Sequence, residues 1–455
     1  MKALKEPLKE LAEYNEASDC LKNGIYPILM NGCVDTEKCQ LMDAFGEGSR
    51  YKVIITYSEN KAKEIYEDLK LYSRDVYLYP AKDVIFYSAD VHGYATVKER
   101  MKVMRNLLEE KPCTIITTLE SGMEHLIPLS HYKAHTLEFK KDDDIELDNL
   151  RKELAAIGYE YRDQVETVGE YSIRGGIVDV FPLTEEVPYR IELWGDTVSS
   201  IHSFDVESQR SIEEVDELTL YSATEVIAEE DRIAAGLAEI EKDAAKQADI
   251  FMKDGKVVES LRIKEAVREL KQNIEYYKGM AGLESYISYF YKDARSFYDF
   301  FPENDTIYYI DEPARTYEHG EATYYEFEES MKMRLEKGYI LPAQMEVLYH
   351  GKEIYGKLAS KKLVMFSALD NKVKEIRAKE TFSLSVQAIA SYNGNFSLMV
   401  NDLQRWKKNN YRVLILSPSR TRAMRLSENL REEDINAFYS DDGERILKSG
   451  EIMTA

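Results

Sequence analysis

The sequence is short of cysteine, of basic charge and of long apolar runs, and each shortage excludes a class of protein. Four cysteines in 455 residues, Cys20, Cys33, Cys39 and Cys113, show no paired C-x-x-C spacing, which leaves neither a zinc signature nor a disulfide framework. They are expected to be reduced and mostly buried. No stretch approaches the roughly 18 uninterrupted apolar residues of a membrane span, and Met1 to Lys22 lacks the apolar centre of a secretory signal. A cytoplasmic location with no membrane partner is expected. Lys and Arg number 60 against 83 Asp and Glu, a formal net charge of -23. Such a surface repels phosphate backbones, because nucleic-acid binding relies on a basic face that releases condensed counterions. Autonomous DNA binding is disfavoured; acidity also confers solubility by itself.

What the chain does have is length for about three domains at roughly 150 residues each and a hydrophobic fraction of 44%. Residues 1–130 alternate helical and strand-like segments. Ala3 to Lys22 reads as helix, Tyr26 to Met30 as strand and Thr36 to Phe45 as helix. Strands at Lys52 to Thr56, Val76 to Tyr79 and Cys113 to Thr117 then alternate with helices at Lys61 to Leu69 and Val97 to Leu108. This alternation predicts a parallel α/β sheet.

Residues 131–222 change to short period-two runs with Gly or Pro turns and one helix, Leu147 to Ile157, which predicts a small inserted α+β domain. Its strands are expected at Tyr161 to Val165, Glu170 to Arg174, Ile177 to Phe181, Tyr189 to Leu193 and Val198 to Phe204. A charged helical region, Thr224 to Tyr277, follows and fits either a helical insertion or a coiled hairpin. The α/β pattern returns within residues 223–370, with strands Thr306 to Ile310 and Leu363 to Ser367 and a helix Tyr325 to Lys337, as if the first domain were split. Residues 371–455 form a third α/β unit, with helices Leu398 to Lys408 and Thr421 to Leu430 and strands Val413 to Leu416 and Ala437 to Tyr439. The apolar segment Glu451 to Ala455 starts without a completed sheet, so the third unit is expected to be incomplete and the chain a fragment.

Between the first strand and the helix after it lies Gly32-Cys33-Val34-Asp35-Thr36-Glu37-Lys38-Cys39. Set against G-x-x-x-x-G-K-[ST], it keeps Gly32 and Lys38 alone. A working phosphate loop needs a small residue at position 37, so that backbone N–H groups wrap the phosphates, and a hydroxyl at position 39 to ligate magnesium. Glu37 and Cys39 supply neither. A carboxylate beside phosphate oxygens at about 4 Å costs roughly 1 to 4 kcal/mol, and Asp35 adds a second. An ordinary strand-to-helix turn fits the octapeptide equally well. The later Ile307-Tyr308-Tyr309-Ile310-Asp311-Glu312 has the layout of a Walker B strand, an apolar run ending in two acids, although Asp311-Glu312-Pro313 also fits a turn. Together they predict a degenerate P-loop domain of RecA or helicase type that binds no nucleotide and has no catalytic residue.

In the inserted domain, alternation places Glu170, Ser172 and Arg174 on one side of their strand, and Arg190 and Glu192 opposite Ile191 and Leu193. A solvated face explains such charge. Arginines near Phe181 and Trp194 are also the residue types enriched at binding hot spots, and Arg162 adds to them.

Ile54 to Thr56 with Ala62 to Leu69, Tyr79 to Asp83, Tyr171 to Pro182, Arg190 to Asp196, Phe204 to Ser211, Asp311 to Arg315 and Leu416 to Ala423 carry a family likeness. Over essentially all its residues the chain resembles the N-terminal part of the bacterial transcription-repair coupling factors, whose first domains are similar to the nucleotide-excision repair protein UvrB. The resemblance implies a UvrB-like module without ATPase motifs whose inserted domain recruits UvrA. It implies Arg162, Arg174, Phe181, Arg190 and Glu192 as contacts. It also implies parts not found in this sequence: an RNA-polymerase-binding domain, translocase domains using ATP and magnesium on DNA, and a C-terminal domain masking the UvrA face. The competing enzyme reading is a UvrB-like or other DNA helicase that still binds ATP. UvrB inserts a tyrosine-rich hairpin to grip damaged DNA, and Asp83 to Glu99 leaves little room for one. A third role is an internal brake packed on the other domains of its own chain.

Overall fold

The computed structural model describes residues 2–82, 94–227, 229–274, 283–369, 374–389 and 391–455. Most of Asp83 to Glu99, the end of the helical region expected to reach Tyr277, and Asn371 itself lie outside the described residues. In chain order the first four strands are β1 (Ile28–Asn31), β2 (Tyr51–Thr56), β3 (Val76–Tyr79) and β4 (Cys113–Thr118). Eight more follow between residues 137 and 220: β5 (Leu137–Lys140), β6 (Glu160–Tyr161), β7 (Glu170–Arg174), β8 (Ile177–Val180), β9 (Tyr189–Trp194), β10 (Thr197–Phe204), β11 (Ser211–Glu214) and β12 (Glu217–Leu220). Then come β13 (Thr306–Asp311), β14 (Leu363–Ser367), β15 (Glu380–Ser383), β16 (Val413–Ile415), β17 (Ala437–Tyr439) and β18 (Ile452–Thr454).

A seven-stranded sheet in the order β15-β1-β14-β13-β2-β4-β3 pairs in parallel throughout. β1, β4, β13 and β14 are buried along their whole length, the near-continuous apolar reading of a sheet covered on both faces. One face packs on the core holding Ile28, Met30, Ile54, Ile116 and Val364. The other packs on a larger core, from Val53 and Ile115 into Tyr171, Val178 and Ile191 of the small domain. The sheet thus draws strands from both sides of residues 137–220, a large α/β sheet as the alternation predicts. β15 lies beyond residue 371, where the pattern places the start of the third unit. It nevertheless pairs with β1, and the Leu384 N–H extends the ladder to the Asn31 carbonyl at 2.9 Å.

Two helices differ from expectation for local reasons. The N-terminal stretch breaks into Lys2–Lys5, a 3-10 turn Glu6–Glu10 and Ala12–Lys22, because Pro7 has no N–H to donate and its ring obstructs the preceding turn. The helix expected from Tyr325 begins at Pro313 and runs to Glu336, with proline in the first turn, where its missing donor costs nothing. Asp311-Glu312-Pro313 is therefore a strand-to-helix junction.

Residues 137–220 form a six-stranded sheet, β11-β10-β9-β8-β7-β6, and a two-stranded ribbon, β12-β5. Of the expected strand Tyr161 to Val165 only Tyr161 is strand, as the second residue of β6. Tyr171, Ile173, Val178 and Ile191 turn one face of the sheet into the core, together with Leu150 and Leu154 of the helix Leu147–Ala156. The following segment is a hairpin of helices Glu230–Lys253 and Val257–Gln272. A fully buried ion network ties the small domain's exit to the large one: Arg100 meets Glu124 in a fork at 2.8 and 2.9 Å and Glu225 at 2.6 Å, over the Tyr79 ring. In the third unit β18 lies between β16 and β17, all parallel, so Glu451 to Ala455 supplies the central strand of a three-stranded sheet.

Candidate functional site

Strand register decides what the small domain displays. β7, β8 and β9 pair so that Arg174 lies opposite Ile177, and Ile177 opposite Glu192; one row along, Ser172 faces Asp179 and Asp179 faces Arg190. Cross-strand partners share a face, so Arg174, Arg190 and Glu192 come together on the side turned away from the core. Arg162 follows β6 and reaches the same side, its guanidinium 3.3 Å from Glu170 and 2.6 Å from Glu160.

The face is not a bare solvated one. Asp179, 1% exposed, accepts from Arg174 Nη2 at 2.6 Å and from Arg190 Nε and Nη2 at 2.7 and 2.9 Å. Arg190 also donates to the Gln209 carbonyl at 3.2 Å and lies over the Phe204 ring at 4.7 Å. One carboxylate therefore orients two guanidiniums; charge-assisted forks of this kind are the strong and geometrically specific ones. Burial alone would disfavour the Arg190 charge, but its hydrogen bond to Asp179 raises its affinity for the proton above the ordinary arginine value. Glu192 accepts from Ser200 Oγ at 3.1 Å. Phe181 is packed with Val165 and with Phe204, the ring that Arg190 covers, so it is buried beside the arginine cluster and exposes little of its own ring. Period-two alternation alone does not single out Asp179. Its signal is a lone carboxylate within the apolar Ile177-Val178-Asp179-Val180, between two strands that carry arginine.

The octapeptide at Gly32 is a strand-to-helix junction, with the helix running Asp35–Phe45. Gly32 takes φ +77°, and a Cβ there would collide with the Leu384 carbonyl oxygen. Lys38 is buried and reaches across the sheet to Asp311 at 2.7 Å and Glu312 at 2.6 Å, with Asp35 at 3.4 Å. Asp311 is fully buried and also accepts from Thr56 Oγ1 at 3.0 Å; Glu312 accepts from the Ala368 N–H at 2.8 Å. Burial works against the Lys38 ammonium, but Asp311 and Glu312 outweigh it and hold its proton above the ordinary lysine value. The lysine of the octapeptide and the two acids of the distant strand therefore do meet, and they satisfy one another. A cleft of about 310 Å³ opens beside them, lined by Tyr57, Lys61, Glu312, Arg315 and Ser367.

Cys39 is buried, and burial pushes its thiol up to about 12. Glu37 is buried too, one carboxylate oxygen having no hydrogen-bond partner. Burial pushes its carboxyl up from 4.5 to about 7, against the Val34 N–H that favours the ionised form. The folded state therefore holds this proton more tightly than the unfolded chain. Stability should fall as pH rises from about 4.5 to about 7, by up to about 3 kcal/mol, and stay level above that. Glu37→Gln should flatten this slope and be more stable than the parent at pH 8. Urea unfolding at pH 5 and pH 8 checks it; an unchanged slope in the variant would assign the dependence elsewhere. Among the described residues no group of three or more His, Cys, Asp or Glu is placed to hold a metal, and no helix is long and apolar enough to cross a membrane.

Residues 137–226, which contain the whole arginine face, match the family model described as the UvrB interaction domain. Along nearly its full length the chain is similar to proteins named transcription-repair-coupling factor. It is 27% identical to that of Bacillus subtilis over 448 residues, covering 98% of this chain and 38% of the relative. It is 24% identical to that of Staphylococcus haemolyticus over 437 residues, covering 94% and 36%, and 25% identical to that of Staphylococcus aureus over 412 residues, covering 90% and 34%. The chain thus spans well under half the length of these curated relatives.

Proposed function

We propose that this chain, a relative of the transcription-repair-coupling factors that carries a UvrB interaction domain, is a non-catalytic docking module that recruits UvrA to start transcription-coupled nucleotide-excision repair. The observation that carries the reading is the Arg174–Asp179–Arg190 cluster inside the matched segment: a rigid, hydrogen-bonded arginine pair on an outward sheet face. Arg162 and Glu192 complete its polar surface. In this reading the ATP-driven movement on DNA and the displacement of RNA polymerase reside in other parts of a longer protein, and ATP and magnesium act there.

Arg174→Ala is the first test. Removing the half-exposed member of the pair leaves Asp179 still paired to Arg190, so the fold should persist while UvrA affinity falls by at least about tenfold, the loss expected at a hot spot. Undiminished binding in a titration of purified UvrA would reject this face. Phe181→Ala is the less clean probe, because emptying its buried site costs about 3–5 kcal/mol of stability.

A second reading has one observation in its favour. The cleft beside Lys38, Asp311 and Glu312 sits at the carboxyl ends of parallel strands, where α/β sheets bind ligands, and a UvrB-like helicase would place nucleotide there. Against it, the ammonium that would meet phosphate is held by two carboxylates, and position 39 offers a buried thiol in place of a magnesium-ligating hydroxyl. ATP with magnesium is expected to produce no binding heat in a calorimeter; a saturable signal would restore the enzyme reading.

A further inference from the structure

The β9–β10 hairpin ends in Trp194, which is 86% exposed and the most exposed of the large hydrophobic side chains among the described residues. A tryptophan is normally well buried, so its placement in water needs a reason. Three features bear on that reason. Trp194 follows Arg190 and Glu192 at period two on an unbulged strand, so it lies on the same outward face as the arginine cluster, at one end of it. The strand end that carries it is held firmly: the Leu193 N–H donates to the Gly176 carbonyl at 2.7 Å, and a Cβ on Gly176 would press on the Leu193 carbonyl at 2.9 Å. The glycines of the two turns at this end of the sheet, Gly175 at φ +60° and Gly195 at φ +66°, would each have nothing within 4 Å of an added Cβ, so both turns border open space.

We infer that Trp194 is the apolar anchor of the docking face, inserted on binding into an apolar pocket of the partner while Arg174 and Glu192 form the polar rim. This rests on the docking reading above and takes UvrA as the partner. A large, rigid aromatic beside half-exposed charged groups has the anatomy of an interface centre: a desolvated anchor within a polar surround. The hairpin is already hydrogen-bonded, so little conformational freedom is lost when the ring docks.

The chain has only two tryptophans, Trp194 and Trp406, and Trp406 lies in the third unit. A Trp406→Phe chain therefore reports on Trp194 alone. Titrated with purified UvrA, its emission should shift to shorter wavelength as the ring leaves water, and Trp194→Ala should weaken binding by roughly tenfold or more, with Trp194→Phe retaining most of the affinity. Circular dichroism should be unchanged, because the ring packs on almost nothing. If Arg174→Ala weakens binding while Trp194→Ala does not and the emission stays put, the anchor is wrong and the docking face stands. If the parent chain itself does not bind UvrA, the docking reading falls and the anchor with it.

Discussion

Replacing Lys38 by methionine should cost about 3–5 kcal/mol, because it leaves the fully buried Asp311 and the partly buried Glu312 without the ammonium that compensates them. The effect should appear as faster amide exchange at the carboxyl ends of β1, β13 and β14. At this cluster Lys38, on the helix that follows β1, and Thr56, at the end of β2, meet Asp311 and Glu312 at the end of β13 and Ser367 and Ala368 at the end of β14. Local exchange is the right readout, since a chain of several units need not unfold in one step. The double variant Lys38→Met/Asp311→Asn removes one charge of each sign and should lose less than the sum of the single changes. With a raised folded value, the Lys38 contribution is complete below about pH 10.5 and declines only as pH climbs through that higher value. A single variant within about 0.5 kcal/mol of the parent would mean that the cluster holds nothing together.

Asp179→Ala is expected to be nearly as damaging, about 3 kcal/mol, and to act on function as well as stability. Asp179 receives three N–H donors from two arginines, and its loss strands the Arg190 guanidinium, which is largely buried against Phe204. The figure sits at the low end for a broken buried pair, because Arg174 is about half exposed and solvent relieves its share. Both arginines would also lose the carboxylate that orients them, so UvrA affinity should fall further than with Arg174→Ala alone. Asp179→Asn keeps the shape and part of the hydrogen bonding and should be intermediate in both measurements. Exchange rates along β7, β8 and β9 and the UvrA titration are read on the same samples. An alanine variant with parental exchange rates would show that the arginines are positioned by something other than this carboxylate.

Much of the architecture is legible residue by residue where one period holds over a whole element. Val76–Tyr79, Glu170–Arg174, Leu363–Ser367 and Ala437–Tyr439 coincide with their expected strands, because each is a short β-favouring run bounded by turn residues. The missed elements lack such a signal. β11 is exposed at all four residues, so no apolar alternation marks it. The front half of the helix Pro313–Glu336 is hidden by Gly320, which weakens a helical pattern. In the structure, a Cβ at Gly320 would press into the Leu119 side chain, so the glycine is there for packing.

The octapeptide at Gly32 illustrates the same division. That Glu37 and Cys39 cannot serve a phosphate loop follows from their chemistry alone. That Glu37 turns inward does not, since burial is a property of the assembled core.

By itself, the sequence determined which residues are available and which side of its own strand or helix each occupies: Arg174 with Ser172 and Glu170, Arg190 with Glu192 and Trp194, Lys38 at the head of a helix. The tertiary structure decided which of those sides meet. Arg174 and Arg190 share one carboxylate because β8 lies between their strands in a register set by main-chain hydrogen bonds. Lys38 finds Asp311 across 273 residues of chain. A period of two or of 3.6 is a local property of the backbone. The identity of a neighbouring strand is a property of the whole fold, and the chemistry of both sites depends on it.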